Sequence, residues 1–385
     1  MSEDQMQNHL AVVVIVFERA YSLQRLLGSL TNAYYDHPVQ LIISIDKGQN
    51  KEVIDLAHNF EWKHGEKEVI CHKKNLGIRA HTLFCGDLTK RFSGVILLED
   101  DLLVSPMFYR YSEAALNFYN PDVRIAGISL YATQRNLQTK LPFTPIIDDS
   151  DSFFIQFASS WGEVWSRDQW NRFREWYSTR QEIGATHLIP KNVKSWDESS
   201  WEKTFTQYLV EEKKYFLYPY VSLSTNFTEP GFHFNTAVEH YQVPLLMEDK
   251  VLTFKTFDES IAIYDIFFEL DKSIFEKFRP ELGSYDFAVD INGVKPLQLL
   301  HNEHLLTIRP TSKSIMNFDL RLIPFEMNVL LGLEGSGIVL AAKKDVQTKP
   351  ADMTKRLSFY YSFLSGKKLL RLLMLRIKNR IGRYK

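Results

Sequence analysis

The sequence predicts an α/β protein: a mostly parallel sheet covered by helices, followed by a smaller β-rich unit and a basic helical tail. Three observations predict it. The early apolar runs "LAVVVIVF", "QLIISID" and "GVILL" are continuous rather than alternating, as in strands buried on both faces. Between them lie segments such as "AYSLQRLLGSL", which spaces Leu23, Leu26, Leu27 and Leu30 along one helical face. Beyond about Lys250 the runs become short and alternating, with turn residues between them, which predicts a small antiparallel sheet or sandwich.

In order, the chain reads as strand Leu10 to Phe17, a helix, strand "QLIISID", helix "KEVIDLAHNF", and strand "KEVICH". Helix "RAHTLFCGDLTKRF", strand "GVILL", a helix around "MFYRYSEAALNFY" and strand "VRIAGISL" follow. This alternation means βαβ units and a parallel sheet. From Tyr131 to Ser152 the pattern dissolves into a polar stretch expected to be a mobile loop, and six of the seven tryptophans fall between Trp161 and Trp201. The short runs "YDFAVDING", "HLLTIRP", "FDLRLIPFEM", "NVLLGLEG" and "GIVLAAK" belong to the second unit. The predicted division is residues 1–248, 249–348 and 349–385.

The 385 residues are 45% apolar and 24% charged, the composition of a globular protein with a sizeable core. A net charge of −1 argues against a general nucleic-acid binder, so no nucleic-acid partner is expected. The average hides a skew: after Asp352 there are ten Lys and Arg and no acid. Cys71 and Cys85 cannot build a disulfide framework, "MSEDQMQNH" lacks a basic leader, and no apolar run is long enough to span a bilayer. A cytoplasmic location is expected.

In open parallel sheets ligands sit beyond the carboxyl ends of the strands, so polar residues placed there carry the functional signal. They are Glu18 and Arg19 after the first strand, whose last residue Phe17 is a candidate contact beside them, Asp46 after the second, Asn75, and the triplet Glu99-Asp100-Asp101 after "GVILL". Three adjacent acids beside an apolar strand are costly without a counter-charge, and a divalent cation supplies one. Asp46 either accepts from a nucleobase or ribose or caps the helix that follows. "NLGIRAH" offers Gly77 for close backbone approach and Arg79 for phosphate. In the tryptophan belt, Trp165, Trp170 and Trp176 read as core. Trp161 beside Gly162, and Trp196 or Trp201 beside acids, read as sugar-stacking platforms, with Asp197, Glu198 and Glu202 as candidate bases.

Taken together, "VVIVFERAYSLQRLLGSL", "IISIDKG", "NLGIRAH", "VILLEDDLLVSPMFYRY" and "SSWGEVW" resemble the inverting GT-A-fold glycosyltransferases. The likeness is to the N-acetylglucosaminyltransferase I family and related bacterial enzymes of surface polysaccharide synthesis. It runs in consistent order over residues 10 to 240. The resemblance implies a Rossmann-like catalytic domain and transfer of a sugar from a nucleotide sugar, with UDP the expected nucleotide, to a glycan or lipid-linked glycan. It implies Mn²⁺ or Mg²⁺ held at Asp101, with Asp100 near the ribose or donor sugar and Arg19 and Asp46 on the nucleotide. Glu202, following Trp201, is the implied catalytic base where the family has Asp, with Asp197 second. "TEPGFHF" resembles a donor-closing loop, which makes Gly231 and His233 lid residues.

In the tail, leucines from Leu369 to Leu375 and Ile377 interleave with Lys367, Lys368, Arg371, Arg376, Lys378 and Arg380, a pattern suited to an anionic membrane surface. Peripheral attachment to the inner face of the cytoplasmic membrane follows. Two rival readings are a sugar-phosphate nucleotidyltransferase and a non-catalytic carbohydrate-binding protein. The absence of glycine from "FERAYSL" disfavours the first.

Overall fold

The computed structural model describes residues 9–227, 241–352 and 354–381. Strand β1 (Leu10–Val16) is buried along its whole length, because parallel neighbours flank it on both sides. These are β2 (Leu41–Ile45), in register Val12 to Leu41, and β4 (Gly94–Glu99), in register Ile15 to Glu99. Strand β3 (Lys67–Cys71) closes that edge. On the other side β4 pairs with β8 (Glu163–Ser166), which runs antiparallel and is followed by β6 (Ile125–Ser129), β9 (Tyr215–Pro219), β7 (Ser152–Ile155) and β11 (Ile263–Tyr264). Among the described residues the sheet has nine strands and is mostly parallel. A short ribbon joins β5 (Leu102–Val104) to β10 (Ser224–Asn226).

Alternation along β1 sends its side chains to opposite faces. Ala11, Val13 and Ile15 pack toward Trp165, Trp170, Phe173 and Phe205; Leu10, Val12, Val14 and Val16 pack toward Leu23, Leu26, Leu27 and Leu30. The second face is covered by α1 (Ala20–Thr31), α2 (Lys51–Asn59) and, after α3 (Gly77–Gly86), α4 (Phe108–Tyr119). The first is covered by α3, α5 (Arg167–Thr179) and, beyond the short α6 (Lys191–Lys194), α7 (Trp201–Glu211). Three rings stack through this layer: Trp165 on Phe205 at 5.5 Å and Phe205 on Phe173 at 4.3 Å.

Three elements differ from expectation, the first being "NVLLGLEG", whose opening residues fall in a helix (Glu326–Leu330) instead of a strand. The stretch from Tyr131 to Ser152 is held by its own turn chemistry and by the core, because Asn136 accepts from the backbone of Gln138 and Thr139 while Leu141 and Ile146 are buried. The smaller sheet, β12 (Phe287–Asp290), β13 (His304–Thr307), β14 (Met316–Phe318) and β15 (Ile338–Ala342), is not wholly antiparallel, since β12 and β13 run parallel. Residues beyond 248 also serve the larger sheet, where β11 forms its edge. Helices α8 (Lys272–Phe278) and α9 (Glu326–Leu330) pack against the smaller sheet, and α10 (Thr354–Tyr360) and α11 (Gly366–Ile381) follow. Among the described residues no helix is long and apolar enough to cross a membrane.

The packing of α3 against α5 leaves no room at Gly86. A Cβ there would lie 2.1 Å from the Trp170 indole, whose Nε1–H is tethered to Asp87 at 2.8 Å. Gly86→Ala is expected to destabilise the fold by about 1–3 kcal/mol in urea unfolding. Gly28→Ala, where no atom lies within 4 Å of the new Cβ, is expected to be neutral or stabilising.

Candidate functional site

Because β1 and β4 are parallel neighbours in register, their carboxyl ends open on the same edge. Arg19 lies just past β1 and the acid triplet ends β4. The Arg19 guanidinium bridges the last two acids: Nη1 donates to Asp101 Oδ2 at 2.9 Å and Nη2 donates to Asp100 Oδ1. Both acids are buried, Asp100 at 2% and Asp101 at 8% exposure. The β5–β10 ladder, which sets Leu102 opposite Asn226, brings the Asn226 amide to Asp101 Oδ1 at 3.2 Å. Burial raises the Asp100 carboxyl to about 6 even though Arg19 and a backbone hydrogen bond from Phe17 favour its ionised form.

A second group of carboxyls lies behind the first. Since β8 is antiparallel to β4, it begins where β4 ends: Glu163 sits opposite Leu97 and Ser129. Leu97 and Glu99 are two residues apart on one strand, so Glu99 and Glu163 share a face. It is the face that α7 covers, with Trp201 against Trp165 and Glu202 next to it in the first turn. Burial raises all three of these carboxyls, Glu202 to about 8 and Glu99 and Glu163 well above the usual range. Mutual repulsion adds to the shift at Glu99 and Glu163; a backbone hydrogen bond from Ser160 opposes it at Glu202. Glu163 is 2% exposed and its Oε1 is buried without a hydrogen-bond partner. Carboxyls raised by burial and by one another at the edge of a sheet mark a candidate functional site.

The other predicted residues are distributed unevenly. Phe17 is 41% exposed at the mouth of the edge, an open aromatic surface. Glu18 turns away from it, accepting from the Gln49 N–H at 2.7 Å. Asp46 stands at the start of α3, accepting from Leu76 N–H at 2.8 Å and Gly77 N–H at 3.0 Å, and also from Lys47 N–H at 2.8 Å. The helix it caps is not the one that follows it, whose cap is Asn50. Asn75 supports the same turn by accepting from Gly77 N–H, and Gly77 has the positive φ of +73° that the turn requires. The Arg79 Nε is buried without a hydrogen-bond partner, near Asp197.

Asp197 itself is at the surface, bound by the Ser199 hydroxyl and N–H, which together hold its carboxyl below the usual range. Glu198 pairs with Lys203. Trp201 departs from the expected sugar platform, being 6% exposed in the aromatic core. Trp161 packs against Tyr131 at 4.6 Å and Tyr241 at 4.7 Å, beside Gly162 at φ +98°. Gly231 and His233 lie outside the described residues. Sequence reasoning missed Glu163 and Asn226. The first had a signal, an acid inside the apolar strand "EVWS"; the second had none, because only the β5–β10 ladder brings it to Asp101.

An α/β fold with buried carboxylates on the carboxyl edge of its sheet defines a class of protein that binds polar ligands at that edge. No family model matches the chain. It is similar to an alpha-1,3-mannosyl-glycoprotein 2-beta-N-acetylglucosaminyltransferase of Arabidopsis thaliana, 23% identical over 205 residues. The match covers 53% of this chain and 40% of the relative, so the chain spans well under half of that protein's length. Among solved structures it overlaps S. aureus TarS at a TM-score of 0.31 and 12% identity, over 55% of this chain and 37% of that one. It overlaps GalNAc-T7, crystallised with UDP, GalNAc and Mn²⁺, at a TM-score of 0.37 and 11% identity, over 55% and 42%.

The raised Glu202 carboxyl makes stability depend on pH. The folded state holds this proton up to about 8 while an unfolded carboxyl releases it near 4.5, so folding stability falls as pH rises through that window. Glu202→Gln is expected to melt above the parent protein at pH 8.5 and level with it at pH 4, in melting curves recorded across the range. Parallel curves for the two proteins would contradict the burial assigned to Glu202.

Proposed function

We propose that the protein is an inverting, metal-dependent glycosyltransferase. It moves a sugar from a nucleotide sugar, UDP-linked in this reading, to a hydroxyl of a glycan or lipid-linked glycan in surface polysaccharide synthesis. The observation that carries it is the carboxyl edge of the sheet, where Asp100 and Asp101 share one arginine while Glu202 lies behind them with a carboxyl raised to about 8.

The acids fit a divalent cation. Two carboxylates, Asp100 and Asp101, share the one guanidinium of Arg19, which leaves negative charge in a buried place. The donors are hard oxygens, suited to Mn²⁺ or Mg²⁺, which take one or two carboxylates and leave other positions to phosphates. Asp101 would hold the ion and Asp100 would flank it. When bound, such an ion neutralises charge on a leaving diphosphate.

The chain's own residues do the remaining work. Arg19, which bridges Asp100 and Asp101 at the edge, would offer its planar fork to a phosphate oxygen. Phe17 offers its exposed ring to the base, and Trp161 with Tyr131 and Tyr241 offers an aromatic wall for an acceptor. Glu202 takes the proton of the acceptor hydroxyl as its oxygen bonds to the anomeric carbon. The bond to the diphosphate breaks on the opposite face, which inverts the anomeric centre. A carboxyl with a pKa of about 8 is a stronger base than an ordinary glutamate, and burial is the cause.

Calorimetry with UDP tests the first half of this reading. Binding is expected to require Mn²⁺ or Mg²⁺ and to be lost in Asp101→Ala. Glu202→Gln tests the second half: nucleotide affinity stays and transfer falls by roughly 10²–10⁴-fold. Full transfer by that variant would move the base elsewhere, and nucleotide binding without metal would remove the ion from the reaction.

The tail supports a peripheral place at the inner face of the cytoplasmic membrane. Helix α11 leaves Leu369, Leu370, Leu372, Leu373, Leu375 and Ile377 between 44% and 56% exposed, among basic residues that each add about 1 kcal/mol near an anionic leaflet. In liposome flotation the full chain is expected to rise with anionic vesicles and the chain ending at residue 352 to stay behind. Equal partitioning would discard the attachment.

A further inference from the structure

A second convergence of ligand-bearing side chains lies at the opposite end of β1, and the glycosyl-transfer reading makes no use of it. His9 immediately precedes β1, His37 lies in the connection from α1 to β2, and Glu113 projects from α4. One donor atom from each lies within 4.8 Å of the others. The His37 Nε2 is 2.7 Å from Glu113 Oε1, and the two imidazole rings are 4.1 Å apart at 32°. Strand β1 separates this cluster from Arg19 and the acid triplet by its seven residues, about 23 Å of extended chain.

We infer that His9, His37 and Glu113 form a divalent-cation site of the zinc type that ties the first strand to α4. Two imidazoles and one carboxylate are a borderline donor set that suits Zn²⁺ over Mg²⁺ or Ca²⁺, with a fourth position left for water. His37 is already arranged as such ligands are: its Nδ1 lies 3.1 Å from the Pro38 carbonyl, which takes the Nδ1–H and turns the Nε2 toward Glu113. The three side chains are half-buried, so an ion can reach them from solvent while the second face of the sheet stays closed.

The neighbouring charges agree. Asp36 next to His37 adds negative potential but is itself engaged by Arg110, which also holds Asp249, so Glu113 supplies the carboxylate. The ion's role is structural, because it joins three segments distant in sequence at the start of the strand from which the sheet is built.

The test uses the full chain, free of any histidine tag and stripped with a chelator. One equivalent of Zn²⁺ is expected to bind, to raise the melting temperature on the order of 3 °C or more, and Co²⁺ at the same site to give the visible absorption of a low-coordinate complex. Both responses should vanish in His37→Ala and in Glu113→Gln, the latter keeping a hydrogen-bonding group toward His37 so that the fold survives. Both should persist in Asp101→Ala. An unchanged melting temperature and a colourless Co²⁺ solution would overturn the site. So would responses that survive in Glu113→Gln or disappear in Asp101→Ala, which would assign the ion to the acid triplet.

Discussion

The architecture of the candidate site depends on how negative charge is held at the carboxyl edge of a parallel sheet. Asp100 and Asp101 end a strand buried on both faces, and one guanidinium, that of Arg19, spans them. Without it two carboxylates would be stranded beside an apolar core at high cost. With it the charge is still not cancelled, since two carboxylates share one guanidinium. The edge therefore holds a standing attraction for cations while remaining compatible with folding.

The second tier of carboxyls follows from a topological detail. A strand inserted antiparallel into an otherwise parallel sheet begins at the edge where its neighbours end. Strand β8 does this between β4 and β6, so Glu163 faces into the edge together with Glu99. Helix α7, anchored by Trp201 in the aromatic layer of Trp165, Phe205 and Phe173, delivers Glu202 to the same place. The core and the site are thus one construction: aromatic burial that stabilises the fold also excludes the water that would otherwise keep these carboxyls acidic.

Much of this was readable from the chain. Continuous β-branched runs located β1, β2 and β4, because a strand buried on both faces cannot alternate. Helical leucine spacing located α1, and the placement of polar residues after strands pointed to Arg19 and the acid triplet. The tryptophan belt put Trp165 and Trp170 in the core, where they are, although Trp165 stands on strand β8 and only Trp170 on a helix. The misreadings share a cause. Asp46 caps a helix 30 residues away rather than the next one, Trp201 faces inward although acids surround it in sequence, and residues 131–152 are ordered by contacts with Tyr264 and with their own turns.

The sequence by itself determined the alternating strands and helices of the first 130 residues, the faces they bury, and that acids and an arginine stand at strand ends. These are local consequences of hydrophobic period and residue type, and they survive without knowledge of neighbours. Only the tertiary structure decided which of those polar groups meet. Strand order set Arg19 against Asp100 and Asp101, the reversed β8 added Glu163, the β5–β10 ladder added Asn226, and the same packing brought His9, His37 and Glu113 together at the far end. The physical reason is that charge pairing, ligation and desolvation act over a few ångströms in space, whatever the separation along the chain.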